Sequence, residues 1–188
     1  MIELKAIAAS KGIVDDLNWP FDFSLKRANR NSGWIKLKPE AKFNVIAGDG
    51  TGSAFLAYGD GVVESLPILH ATSEGQAGKI AANLAECLAL LMALPYWRDL
   101  LKFSGGGKLK EMRTTATFME REYEKSYPKL PDVRARLVKA LRIPSIDDPI
   151  KTLHSNVKST DCTLVAEDGT EWQSLFNSFV SRDNPTWR

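Results

Sequence analysis

The chain has 188 residues, 44% of them hydrophobic and 26% charged, with two cysteines and a net charge of +2. A chain of this length and apolar content can bury its own core without disulfides, and one domain is the expectation. The near-zero net charge excludes an argument for nucleic acid or membrane binding from charge alone.

Residues 1–33 hold mixed signals. Ile2 to Lys11 fits a short helix or a strand, and Trp19-Pro20-Phe21 marks an extended or turning segment, because the ring of Pro20 disfavours helix at Trp19. Met1-Ile2-Glu3-Leu4-Lys5 lacks the basic region and apolar block of a secretory leader, which fits a cytoplasmic location. Asn29-Arg30-Asn31-Ser32-Gly33 reads as a polar turn. Trp34-Ile35-Lys36-Leu37-Lys38 then alternates apolar and polar, the period of a half-buried strand.

Phe43 to Ala47 and Ala54 to Tyr58 are expected strands, joined by Gly48-Asp49-Gly50-Thr51-Gly52-Ser53. That glycine-rich corner is not a phosphate loop. No lysine follows its last glycine, its spacing is G-x-G-x-G, and no helix opens behind it. Asp49, Thr51, Ser53 and Asp60 supply oxygens that suit a hard cation, but not with the spacing or the final bidentate Glu of an EF-hand. The corner is expected to fold paired strands, with no metal and no cofactor.

Gly59-Asp60-Gly61 turns the chain, and Ile68-Leu69 continues the sheet with Pro67 at its start. From Gln76 to about Leu94, Ile80, Leu84, Cys87, Leu88, Leu91 and Met92 recur at spacings of three and four, which predicts one long helix covering the sheet. Thr72 or Ser73 would cap it, and Glu74 would complement its dipole. Glu86 and Pro95 keep its most apolar run too short to span a bilayer. Tyr96 to Phe103 adds a turn or two before Gly105-Gly106-Gly107.

Lys108 to Lys125 and Asp132 to Leu141 are expected helices. The window 108–142 carries ten basic and five acidic side chains, a docking face or simply two solvated helix faces. Pro144 and Pro149 enclose a polar connector, and His154 is placed in polar connecting chain. Cys162 to Ala166 and Glu171 to Leu175 form an expected hairpin around Glu167-Asp168-Gly169-Thr170, and Asp183 to Arg188 looks loosely held. The layout is a core over about 34–103, a helical extension over about 108–143 and a hairpin over about 161–176, all one domain.

Candidate chemistry is sparse. His70 and His154 are the two histidines, and either could act as a general base, but no oriented nucleophile or oxyanion site is visible beside them. Tyr96-Trp97-Arg98 has the composition of an interface hot spot.

Phe43-Asn44-Val45-Ile46-Ala47-Gly48-Asp49-Gly50-Thr51-Gly52, Phe55-Leu56-Ala57-Tyr58, Pro67-Ile68-Leu69, Ser73-Glu74-Gly75 and Ile80 to Leu88 together resemble the SUKH superfamily, bacterial immunity proteins related to fungal cell-wall regulators. The likeness covers roughly residues 43–94. The opening Leu-Pro helix of that family is missing, and nothing from Lys108 onward has a counterpart. The resemblance implies an α+β fold with a mainly antiparallel sheet covered by helices on one face, no catalysis, and a cognate protein toxin, for instance a nuclease, as partner. Its acidic turn positions fall on Asp49 and Asp60. With Glu74, Tyr96, Trp97 and Arg98 these form the expected partner-binding set, with no catalytic or metal residues. An intracellular docking protein and a small hydrolase or nucleotide-binding enzyme are the alternatives; binding to nucleic acid or membrane is disfavoured.

Overall fold

In the computed structural model the described residues are 2–28 and 35–187. The turn expected at 29–33, and Trp34, lie outside them. The chain opens with two short helices, α1 (Leu4–Ala8) and α2 (Lys11–Asn18). Strand β1 (Leu37–Lys38) precedes four strands in series: β2 (Phe43–Gly48), β3 (Ala54–Tyr58), β4 (Ile68–Ala71) and β5 (Gln76–Ala81). Helices α3 (Leu84–Ala93), α4 (Trp97–Lys102), α5 (Leu109–Ser126), α6 (Leu130–Leu141) and α7 (Pro149–Lys158) follow, then β6 (Thr163–Leu164) and β7 (Gln173–Ser174).

The fold is α+β. Five strands form one sheet in the order β2-β3-β4-β5-β7, antiparallel except for the last pair. Phe55, Ala57, Ile68 and Ile80 face the main core with α3 to α7. Leu56, Tyr58, Leu69 and Ala71 face a second core with Ile35, Leu37, Cys162 and Leu164, carried on the two-stranded ribbon β1-β6. With both faces covered, all five residues of β3 are buried, so Ala-Phe-Leu-Ala-Tyr runs apolar without alternation.

The helix expected from Gln76 onward is a correction. Residues 76–81 are a strand, and the helix begins at Leu84. Ile80 stands four residues before Leu84 and extended the helical stripe by coincidence. What decides the strand is the turn before it. The Thr72 hydroxyl accepts from the amides of Glu74 and Gln76, and Thr72 N donates to the Gln76 carbonyl at 2.8 Å, closing a hairpin onto β4. Glu74 therefore sits in a hairpin turn and not at a helix start. The true cap is Asn83, whose side chain accepts from Glu86 N at 2.9 Å, while Glu86 Oε1 accepts from Ala82 N.

Residues 149–158 are a helix, not connector. Asp148 caps it and Pro149 occupies its first turn, where a missing amide costs nothing. Helix α7 packs on β5. Asn156 Nδ2 donates to the Ile80 carbonyl at 3.0 Å, and Lys79 N donates to Thr160 Oγ1 at 2.9 Å, so side chains satisfy part of that strand's edge.

The expected hairpin over 162–175 keeps its turn and its first rungs, Val165 opposite Glu171 and Trp172 N donating to the Leu164 carbonyl at 2.9 Å, and its arms also join different sheets. Ala166 N reaches the Thr170 carbonyl at 2.9 Å, after which β6 pairs with β1 and β7 with β5. The chain near its end is not loose. The Trp187 ring stacks on Phe118 at 5.4 Å and its indole donates to Glu122 at 2.6 Å. Two basic side chains of the 108–142 window likewise turn to partners in the chain, Arg113 to Asp148 and Arg136 to Asp16.

The segment after β7 is stitched to the glycine turn behind α4. Asn177 N donates to the Leu101 carbonyl, Gly106 N to the Asn177 carbonyl and Gly105 N to the Phe179 carbonyl, all within 3.0 Å. Gly107 has φ +86°, and a Cβ there would stand 2.8 Å from the Phe176 ring. Gly106 has φ +77° with open space around it. Gly106→Ala should therefore cost about 1–2 kcal/mol from backbone strain alone. Gly107→Ala should cost about 1–3 kcal/mol more from the ring contact. Urea unfolding of the two variants measures the difference, and equal losses would show that the ring contact contributes nothing.

Candidate functional site

The hairpin β2-β3 turns through the glycine corner with Asp49 inside it. Asp49 is 0% exposed. Its Oδ1 accepts from Thr51 N at 2.9 Å, Thr51 Oγ1 at 2.8 Å and Ser53 N at 2.9 Å. Its Oδ2 lies 3.6 Å from His70 Nε2 and 3.1 Å from Arg98 Nη2. The corner thus holds its own carboxylate where a phosphate loop would hold a phosphate.

His70 is 1% exposed and comes from β4, opposite Phe55 of β3. Its ring stands edge-on to Phe55 and to Trp97, each at 4.8 Å. Arg98 follows Trp97 on α4 and lies over that indole at 4.9 Å. A second carboxylate, Asp22, accepts from Gly50 N at 2.8 Å and from Arg98 Nη1 at 3.4 Å, and lies 3.5 Å from Arg27 Nη1. Two carboxylates and two guanidiniums therefore balance around a buried imidazole.

Burial works against the Asp49 carboxylate. The close approach of His70, the charge of Arg98 and the Thr51 hydroxyl outweigh it and hold Asp49 far below the ordinary carboxylate range. Burial, reinforced by the Arg98 charge, pushes His70 below its ordinary 6.5 against the pull of Asp49, so the imidazole is neutral at pH 7. Burial also pushes the Cys87 thiol up to about 12, leaving it a small apolar group in the core.

Above this cluster opens a cleft of about 340 Å³ between the 72–76 turn, α4 and the segment 175–179. His70, Trp97 and Arg98 line it, Glu74 and Lys102 bring opposite charges to it, and Phe179, 45% exposed, lies along one side. Gly78 leaves room for Leu175, which would stand 3.1 Å from a Cβ there and which also lines the cleft.

Of the six residues expected to bind a partner, Glu74, Trp97 and Arg98 converge on this cleft. Asp49 lies beneath it and, being buried, offers a partner no surface. Asp60 is at the far end of β3, paired with Lys42 at 2.8 Å. Tyr96 turns away, donating to Glu120 at 3.0 Å beside a separate groove of about 270 Å³ that Tyr123 and Tyr127 also line. The separation of Asp49 from Asp60 leaves the oxygen set of a cation site unassembled. Among the described residues no three His, Cys, Asp or Glu gather as metal ligands, and no helix is long and apolar enough to cross a membrane.

Sequence reading placed His70 at a strand end and missed its pairing with Asp49. The approach follows from the strand register: Ala47 pairs with Phe55 and Phe55 with His70, so Asp49, two residues past Ala47, comes close to His70. His154 instead bonds the Gly107 carbonyl through Nε2 at 2.8 Å. No protein-family model, no curated protein and no solved structure matches this chain.

Unfolded, His70 takes up its proton near 6.5; folded, it does so only at lower pH. Below 6.5 the unfolded state therefore binds more protons, and stability falls with acidification by up to about 1.4 kcal/mol per pH unit from this group. Asp49 has the same sign at lower pH, since its charge-dependent stabilisation is lost as pH falls below the unfolded value near 3.9. Urea unfolding at pH 7 and pH 5 should show the loss in the wild type and a flatter dependence in His70→Gln. Equal slopes would mean that the folded imidazole is charged.

Proposed function

We propose that this chain is a non-enzymatic binding protein of the immunity type, which neutralises a cognate protein toxin by direct contact through the cleft over α4. One observation carries the reading: Glu74, Trp97 and Arg98, distant in sequence from Phe179, meet it and Lys102 around a single concavity. Arg98 and the exposed Phe179 are residue types that anchor protein interfaces, with Trp97, 2% exposed, backing Arg98. The cleft would be the centre of a contact of about 1,600 Å² in total. The antiparallel run β2-β3-β4 supports the resemblance to the SUKH superfamily over 43–71. Residues 80–88 support it less, because they split between β5 and α3.

A small hydrolase is the second reading, favoured by the approach of neutral His70 to Asp49 beside the Thr51 and Ser53 hydroxyls. It carries less weight because the imidazole is 1% exposed and walled by Phe55 and Trp97. Turnover in a broad ester and phosphoester screen that disappears in His70→Ala would establish it.

Co-expression with a toxin encoded beside its gene should give a complex that survives purification and protects the host. Phe179→Ala and Lys102→Glu, both on the cleft and away from the buried cluster, should each weaken that complex about tenfold or more, as loss of an anchor does. Neither complex nor protection would overturn the reading.

A further inference from the structure

Buried polar side-chain atoms in folded proteins nearly always have a hydrogen-bond partner, so a local cluster without one within the chain is open to a partner from outside it, water or ligand. Among the described residues seven buried side-chain nitrogen or oxygen atoms lack a hydrogen bond. Six belong to the floor of the cleft: Asp49 Oδ2, both ring nitrogens of His70, Trp97 Nε1, and Arg98 Nε and Nη2. The seventh is Arg134 Nε in the separate groove.

The open valences on this floor are mostly donors. Nε–H and one Nη2–H of an arginine form a single edge of the guanidinium plane, the edge that grips a carboxylate with two parallel bonds. In Arg98 the other terminal nitrogen, Nη1, is occupied by Asp22 at 3.4 Å. Asp49 Oδ2 lies 3.1 Å from Nη2 but is not in hydrogen-bonding alignment with it. The indole N–H of Trp97, 2% exposed and without a hydrogen bond, is a third donor, on the ring over which the Arg98 guanidinium lies at 4.9 Å.

We propose that the floor of the cleft is a receptor for a carboxylate, presented by an acidic side chain of the bound partner. One carboxylate takes the Nε/Nη2 edge of Arg98 and the indole N–H of Trp97. The Arg98 side chain is 33% exposed and lines the cleft, and an entering carboxylate would have to draw the covered edge away from Asp49 Oδ2, 3.1 Å from Nη2. The charges of Asp22 and Asp49 are already answered by Arg27 and Arg98, and the cleft lining adds one acid and one base, Glu74 and Lys102. Directed donors, not surplus charge, therefore select the ligand. A carboxylate is preferred to a neutral amide because charge-assisted bonds are about twice as strong. This inference rests on the cleft being the recognition surface proposed above.

The test is a titration of isotopically labelled protein with sodium acetate. The side-chain N–H signals of Trp97 and Arg98 are followed, with sodium chloride at equal ionic strength and acetamide as parallel arms. Both signals should shift saturably with acetate, about tenfold more tightly than with acetamide, and not with chloride. Trp97→Phe, which keeps an aromatic ring and removes the donor, should weaken acetate several-fold; if it fails to fold, the wild-type titration still decides. A linear, non-saturating response, as expected if ordered water alone fills the floor, would overturn the proposal, and so would acetamide binding equally well. If acetate fails while a toxin complex forms and breaks with Phe179→Ala, only the carboxylate receptor falls. If acetate saturates and no complex forms, only the capture of a toxin falls.

Discussion

A carboxylate without exposed surface must be matched by donors on every side to remain ionised, and Asp49 is matched by three different parts of the chain. Its own turn supplies two amides and a hydroxyl to Oδ1, while β4 brings His70 to 3.6 Å and α4 brings the Arg98 charge to 3.1 Å from Oδ2. Removing any one leaves a buried charge partly unanswered, so the hairpin, the sheet and the helix behind Pro95 are held to a common geometry. Arg98 extends the tie to Asp22, and Asp22 to the amide of Gly50 and to Arg27. The N-terminal segment is thereby fixed against the same corner.

That tie explains why the cleft has its shape. Helix α4 is only six residues long, too short to be placed by its own stability. Pro95 interrupts the chain between α3 and α4, Trp97 inserts between His70 and Arg98, and the segment after β7 closes the side. The polar cluster lies at the base of the cleft, and Leu101, Leu175 and Phe179 add apolar surface beside Glu74 and Lys102.

Much of the fold was legible in local pattern. The strands 43–47 and 54–58, the Gly105–Gly107 stop and the helices after it follow from turn glycines, prolines and periodicity, and each needs only nearby residues. The misreadings came where tertiary contact decides. Gln76–Ala81 is a strand because the Thr72 side chain closes a hairpin and α7 covers its edge, neither visible as periodicity. Residues 149–158 are helical through the Asp148 cap and burial of Leu153 and Val157, in a stretch too polar to announce itself. At the site, Trp97 and Arg98 stood out by composition, whereas the Asp49–His70 approach required the strand register. Phe179 could not be foreseen, because its place depends on a carbonyl bond to Gly105.

The stitching of residues 177–179 onto the glycine turn has a consequence for biogenesis. Synthesis proceeds from the N-terminus, and the ribosome delivers Asp49, His70 and Arg98 well before Leu175 and Phe179. Until those later residues emerge, one flank of the pocket is missing and the sheet's β5 edge is only partly paired. A nascent chain can therefore have its scaffold in place while the cleft still lacks a wall.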